Sequence, residues 1–157
     1  MAIDIVELVQ VRTMASDPVH PEVTRRNKYR YCFTSKHHGG GSSEDAEWGI
    51  SRDDEFAVFD SADFFEVCEA DGWHYGVLSV DGDLRDIGSW QQQVAEFPKA
   101  SPGNPWHGYP LWAVNEEAPP NRSAQKMRPS KVIFTKMEAA GLITKQQRKR
   151  LFKGQHA

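Results

Sequence analysis

The sequence predicts an α+β fold: a small, mainly antiparallel sheet, one or two helices packed on it, and a C-terminal helical hairpin over about 129–154. Three observations carry this. Tyr29, Tyr31 and Phe33 alternate with Arg30, Cys32 and Thr34, the period-two spacing of a strand with one aromatic face. Asp71-Gly72 and Asp81-Gly82 are two-residue turn signals, which favour antiparallel neighbours. Near the C-terminus, Pro129 and Ser130 open a helix that Gly141 ends. Thr144, followed three residues later by Gln147, then forms the capping box of a second helix ending at Gly154.

The remaining elements follow in order. Residues 3–14 are rich in β-branched side chains and read as a strand. Residues 16–21 hold two prolines and read as a loop. Residues 36–43 contain three glycines and two serines, a long hairpin loop or flap. Residues 56–59 are apolar and read as a short buried strand. Residues 61–71 admit two readings. One is a helix capped by Ser61 and closed by Gly72, which is favoured. The other is a strand over 64–70 that turns at Asp71-Gly72 into its neighbour. Residues 73–80 read as a strand on either reading. Leu84, Ile87, Trp90, Val94 and Phe97 recur at helical steps and predict an amphipathic helix that stops before Pro98. Residues 99–108 form a Pro/Gly-rich loop, 111–114 a short strand, and 116–122 an extended polar connection. In the hairpin, Val132, Ile133, Met137 and Ala140 supply one apolar face, and Leu142, Ile143, Leu151 and Phe152 complete it.

The 157 residues are enough for one domain with its own core. Hydrophobic residues at 39% and charged residues at 26% give an ordinary globular balance, and aromatics at 11% argue against disorder. No apolar run approaches the ~18 residues of a membrane span. The N-terminus carries Asp4 and Glu7 where an export signal would carry Lys or Arg. With only Cys32 and Cys68, both read as core thiols, the chain is expected to be cytoplasmic.

The net charge is −3, but it is segregated along the chain. Residues 24–43 carry five basic side chains and no acid, residues 44–86 carry fourteen acids against Arg52 and Arg85, and residues 122–157 carry ten basic side chains against Glu138. Such blocks bear on partners more than on fold. Lys145, Arg148, Lys149 and Lys153 share a face and are the nucleic-acid candidates. The alternative is that the hairpin neutralises the acidic middle of its own or a neighbouring subunit.

A second group of candidates is aromatic. Trp106, His107, Tyr109 and Trp112 lie within seven residues on a Gly/Pro-shaped loop, a composition suited to holding a ligand between rings, with His107 as a general base. His37 and His38 on the glycine loop and His74 on a strand complete the set of ligand-binding candidates. No His-x-His, His-x3-His or Cys-x2-Cys spacing is present, so no metal or other cofactor is expected. The alternative is that the indoles close the core and the imidazoles cap carbonyls. One short stretch, the apolar run before Asp81-Gly82-Asp83, resembles the Asp-x-Asp motif of haloacid-dehalogenase-type phosphatases over fewer than ten residues. The resemblance implies a nucleophilic and an acidic aspartate, whereas the same residues also spell a strand turn.

Three function classes follow. The first is a non-enzymatic binding protein that contacts nucleic acid through the basic hairpin. The second is an acidic-faced protein-binding module of the immunity or inhibitor kind. The third is a small enzyme with a histidine in an aromatic pocket. Binding is favoured over catalysis because no catalytic spacing stands out. Expected partners are nucleic acid or a protein, with a homo-oligomer left open and no membrane.

Overall fold

The computed structural model describes residues 10–11, 29–34, 37–38, 46–111 and 129–157. The predicted readings at 16–21, 116–122 and Trp112, and most of those at 3–14, 36–43 and 111–114, lie outside these residues.

The class is α+β. Strands β1 (Gln10–Val11) and β2 (Arg30–Tyr31) pair antiparallel. A three-stranded antiparallel sheet has β6 (Ala95–Phe97) at its centre, between β3 (His74–Gly76) and β7 (Tyr109–Pro110). Strands β4 (Ser79–Val80) and β5 (Asp83–Leu84) make a separate hairpin. Helix α1 (Arg52–Phe64) and the pair α2 (Lys131–Ala139) and α3 (Lys145–Phe152) complete the described fold. None of these helices is long and apolar enough to cross a membrane.

Two apolar clusters hold the elements together. Tyr31, Phe33, Trp48, Val58, Phe59, Phe97 and Trp106 pack between α1, β2 and one sheet face. Tyr75, Val77, Val94, Ile133, Phe134, Met137 and Leu151 pack between the other face and the helical hairpin. Both faces of β3 and β6 are therefore buried, and neither strand shows the polar alternation of a one-sided sheet.

Helix α1 corrects two predictions at once. Residues 56–59 lie inside it and are not a strand. Ser61 is an interior residue whose hydroxyl donates to the Val58 carbonyl, not a cap. The cap is Ser51, whose Oγ accepts from the Asp54 amide at 3.2 Å, and Asp53, Asp54 and Glu55 fill the first turn, where acids suit the helix dipole. The buried stripe runs Glu55, Val58, Phe59, Ala62, Asp63, with ideal helical spacing but a carboxylate at each end. Those acids hide the helix from a hydrophobic pattern. It stops at Phe64, Glu66 takes a left-handed φ of 54°, and 67–69 then pair with 73–75 around the Asp71-Gly72 turn. Of 61–71, only 61–64 are helical, as the end of a helix capped elsewhere, and only Cys68 forms a bridge, so neither reading held for the whole segment.

The helix predicted over 84–97 is absent. Leu84, Ile87, Val94 and Phe97 are buried, but they come from β5, a loop and β6. The loop closes where the Gln92 carbonyl accepts from the Ile87 amide at 2.6 Å, with Gln91 at φ 62°. Trp90, the predicted mid-face residue, is 48% exposed. Residues 73–80 likewise form two short strands, not one. From Tyr31 to Thr34 every residue is buried, so this stretch has no polar face as the alternation predicted.

The hairpin agrees with its capping signals. Ser130 is the N-cap of α2, and Gly141 (φ 76°) and Gly154 (φ 74°) follow the two helices in the left-handed conformation. Thr144 Oγ1 accepts from the Gln147 amide at 3.1 Å, and Gln147 Oε1 accepts from the Thr144 amide at 2.8 Å. Gln147 Nε2 also donates to the Gly82 carbonyl at 2.9 Å, tying α3 to the β4–β5 turn. Thr144→Ala is expected to lower stability by about 1 kcal/mol in urea unfolding, as for other lost caps.

Candidate functional site

Two buried carboxylates organise the centre of the molecule. Glu55, wholly buried on α1, accepts from the Tyr31 hydroxyl at 2.5 Å and meets His38 Nε2 at 2.5 Å. Glu96, buried on the central strand, accepts from Tyr75 at 2.9 Å and from Tyr109 at 2.5 Å. The register explains the second group. Tyr75 and Tyr109 are the cross-strand neighbours of Glu96, one on each side, so all three stand in a row on the face covered by the hairpin.

The adjacent histidines contact both groups. His38 Nδ1 lies on the Thr34 carbonyl while Nε2 lies on Glu55. Both partners are acceptors, so a doubly protonated ring satisfies them together. Burial pushes the His38 imidazolium down, but the Glu55 and Thr34 hydrogen bonds outweigh it, and the net direction is up. His37 sits against Tyr109 at 5.1 Å between ring centroids, and its Nδ1 lies 2.8 Å from the Ala46 carbonyl. Burial and then the Glu55 charge raise Tyr31. Burial, with Glu96 beside them, raises Tyr75 and Tyr109. The Cys32 thiol is pushed up to about 11 by burial and by Glu55, a protonated core thiol and no nucleophile. Neither cysteine is in a disulfide, and Cys68 is half-buried.

The aromatic-loop candidates divide. Trp106 is 4% exposed and packs against Tyr29, Phe59 and His74, with ring centroids at 4.7, 6.0 and 5.0 Å. Its backbone pairs with β2 through Cys32 and Arg30. His74 is buried with Nδ1 on the Gly72 carbonyl. His107 is half-buried between Trp106 and the tightly packed Gly108. The fold thus brings Trp106 and His74 into one ring cluster, and His38 and Tyr109 onto the two carboxylates, with His37 against Tyr109. Tyr31, Glu55, Tyr75 and Glu96 were missed. Helical spacing from Ser51 and a cross-strand register were the signals that find them. Among the described residues no three His, Cys, Asp or Glu side chains converge as metal ligands.

Asp81 and Gly82 both take positive φ (53° and 84°) and form the two-residue turn of the β4–β5 hairpin, with Asp81 and Asp83 exposed. Their part in the structure is that of a turn.

The basic candidates lie on α3 and, with Lys153, on its C-cap. Lys145, Lys149 and Lys153 are exposed and recur every fourth residue, so they line one face, beside exposed Arg150. Arg148 differs: it is half-buried and its Nε donates to Glu138 on α2. Elsewhere the hairpin does meet the acidic middle. Glu69 accepts from Ser130, Lys136 donates to the Cys68 carbonyl at 2.7 Å, and His156 meets Asp86 at 2.6 Å.

No protein-family model matches this chain, and no curated protein or solved structure is detectably similar to it.

Proposed function

We propose that this protein is a non-enzymatic binding protein that contacts the phosphates of nucleic acid through α3. The observation that carries the reading is the exposed row of Lys145, Lys149 and Lys153, with Arg150 beside it. The hairpin's contacts with the acidic middle described above run through other residues: Ser130, Lys136, Gln147 and His156. The acidic block offers a poorer surface. Glu55, Asp60 and Asp63 are buried, while Asp53 and Asp54 open α1, and Asp81 and Asp83 belong to the β4–β5 hairpin.

Phosphate contacts made by lysines release counterions, so affinity falls steeply with salt. Replacing Lys145, Lys149 and Lys153 together by Ala is expected to flatten the log–log salt slope for a single strand by about 2. Exposed lysines seldom affect stability by more than about 0.5 kcal/mol, so the melting temperature stays near that of the parent. Arg148 is left out of this variant because its loss would unpair Glu138. Fluorescence anisotropy over a salt series measures the slope, and an unchanged slope would remove α3 as the contact surface.

A further inference from the structure

We infer that α3 contacts duplex DNA in the major groove, where Gln146 and Arg150 read base edges while the lysines hold one strand's phosphates. The inference rests on the phosphate-binding reading of α3 and adds the ligand's form and the residues that select its sequence.

Four side chains of α3 carry the amide or forked donors that suit base edges: Gln146, Gln147, Arg148 and Arg150. Two are committed within the fold. Gln147 closes the capping box with Thr144 and donates to the Gly82 carbonyl at 2.9 Å, and Arg148 is paired with Glu138. Gln146 and Arg150 are exposed, and neither side chain makes a hydrogen bond or ion pair with a described residue. At the helical period, the order round the exposed side is Lys145, Lys149, Lys153, Gln146, Arg150 and then Gln147. The turn bonded by Gln147 carries exposed Asp81 and Asp83. That edge of α3 repels phosphate, so a strand's backbone is taken at the lysine edge and the base edges fall to Gln146 and Arg150.

The chemistry fits B-form DNA. Arg donates twice to guanine O6 and N7, and Gln pairs with adenine N6 and N7 through its amide. Lysines on phosphates fix the register and carry no sequence information. Gln146 and Arg150 stand one turn apart, about 6 Å along the axis, close to two base-pair steps of ~3.4 Å. A-form RNA has a major groove too narrow for side chains to read. A single strand needs rings to stack on, and the row from Lys145 to Arg150 presents none. The chain order, α2, a short turn with Gly141 and then α3, is that of a helix-turn-helix, whose second helix enters the groove.

The test offers the full chain a pool of duplexes with a randomised centre at low salt, then compares the enriched duplex with a scrambled one. The parent is expected to enrich a site with an adenine and a guanine about two steps apart. Arg150→Lys keeps the charge but loses the fork. It should bind the enriched duplex about tenfold more weakly, as is typical of one lost bidentate pair, with the scrambled duplex unchanged. Gln146→Ala changes no charge and should lose as much, at the adenine position alone. A variant that failed to fold would lose both duplexes, and the other variant then decides. Enrichment of no sequence overturns the inference. Full affinity of both variants for the enriched duplex does so too, as does tighter binding of an oligothymidylate of equal length. The triple-lysine variant separates the two readings. A flattened salt slope with no enriched sequence removes base reading alone, whereas an unchanged slope removes the phosphate surface and the inference with it.

Discussion

Glu55→Ala is expected to destabilise the protein by about 3–5 kcal/mol near neutral pH, the usual cost of breaking a buried charged pair by removing one partner. Glu55 is wholly buried, and its two oxygens serve Tyr31 and His38 separately. Without it a buried phenol and a nearly buried imidazolium both lose their acceptor, and a void opens among the rings. Glu55→Gln keeps an acceptor for Tyr31 and should lose less. The pH dependence identifies the pair. His38 is raised in the fold, so its contribution is fully present below the unfolded value of ~6.5 and fades as pH rises through the folded one. Arg52, which faces His38 and opposes its charge, limits how far that window moves upward. Tyr31 is raised and Cys32 is pushed up to about 11, so neither titrates across this window. Urea unfolding at several pH values should therefore show the gap between the parent and Glu55→Ala narrowing as pH rises past neutrality. A gap that stays constant with pH would mean that His38 is not charged against Glu55.

The end signals of the C-terminal hairpin were legible in the sequence, whereas the cap and the burial stripe of α1 were not. Thr144 with Gln147 and the two terminal glycines are local devices, and the hairpin came out where they placed it, although the Ser130 hydroxyl at the start of α2 bonds Glu69 and not the helix. Helix α1 has a cap as good, in Ser51 and Asp54, but its buried stripe begins at Glu55 and closes at Asp63. A pattern that scores only apolar residues saw residues 56–59 and took a strand. The opposite error occurred at 84–97. There the apolar residues are indeed buried, yet their helical spacing is accidental, because Gly88 and the closed 87–92 loop interrupt the chain and β6 is covered on both faces. The histidines were singled out as candidates, but the fold separates His74, beside Trp106, from His37 and His38, and the partners of those two were not foreseen. Glu55 depends on a helix, and Glu96 on a strand register between β3 and β7, residues that lie far apart in sequence. The basic face of α3 was legible because helical spacing alone defines it. The diversion of Arg148 to Glu138 was not, since it depends on the rung at which α2 meets α3.

Gly108→Ala should be among the most damaging single methyl groups that can be added to the described core. A Cβ there would stand 2.2 Å from Phe97 Cδ1 and 2.6 Å from the Glu96 carbonyl oxygen. Neither neighbour is the free end of a flexible side chain. The Phe97 ring is wholly buried and wedged by Phe59 at 5.2 Å, Tyr31 at 5.9 Å and Trp48 at 6.2 Å. The Glu96 carbonyl belongs to the central strand, opposite Tyr109 in the register. Relief requires the 106–108 segment to back away, and that segment carries the Trp106 pairing with β2 and the Gly108 carbonyl that accepts from Trp48 Nε1 at 3.0 Å. Overpacked cores typically lose about 1–3 kcal/mol, and this site is expected to reach the top of that range or pass it. A double-mutant cycle with Phe97→Leu tests the cause. Shrinking the ring costs stability alone, but it frees space beside position 108, so the double variant should be more stable than the sum of the singles by roughly 1 kcal/mol or more. Strict additivity would put the whole clash on the Glu96 carbonyl. A Gly108→Ala protein that unfolds at the parent's urea midpoint would show that no such contact constrains the core.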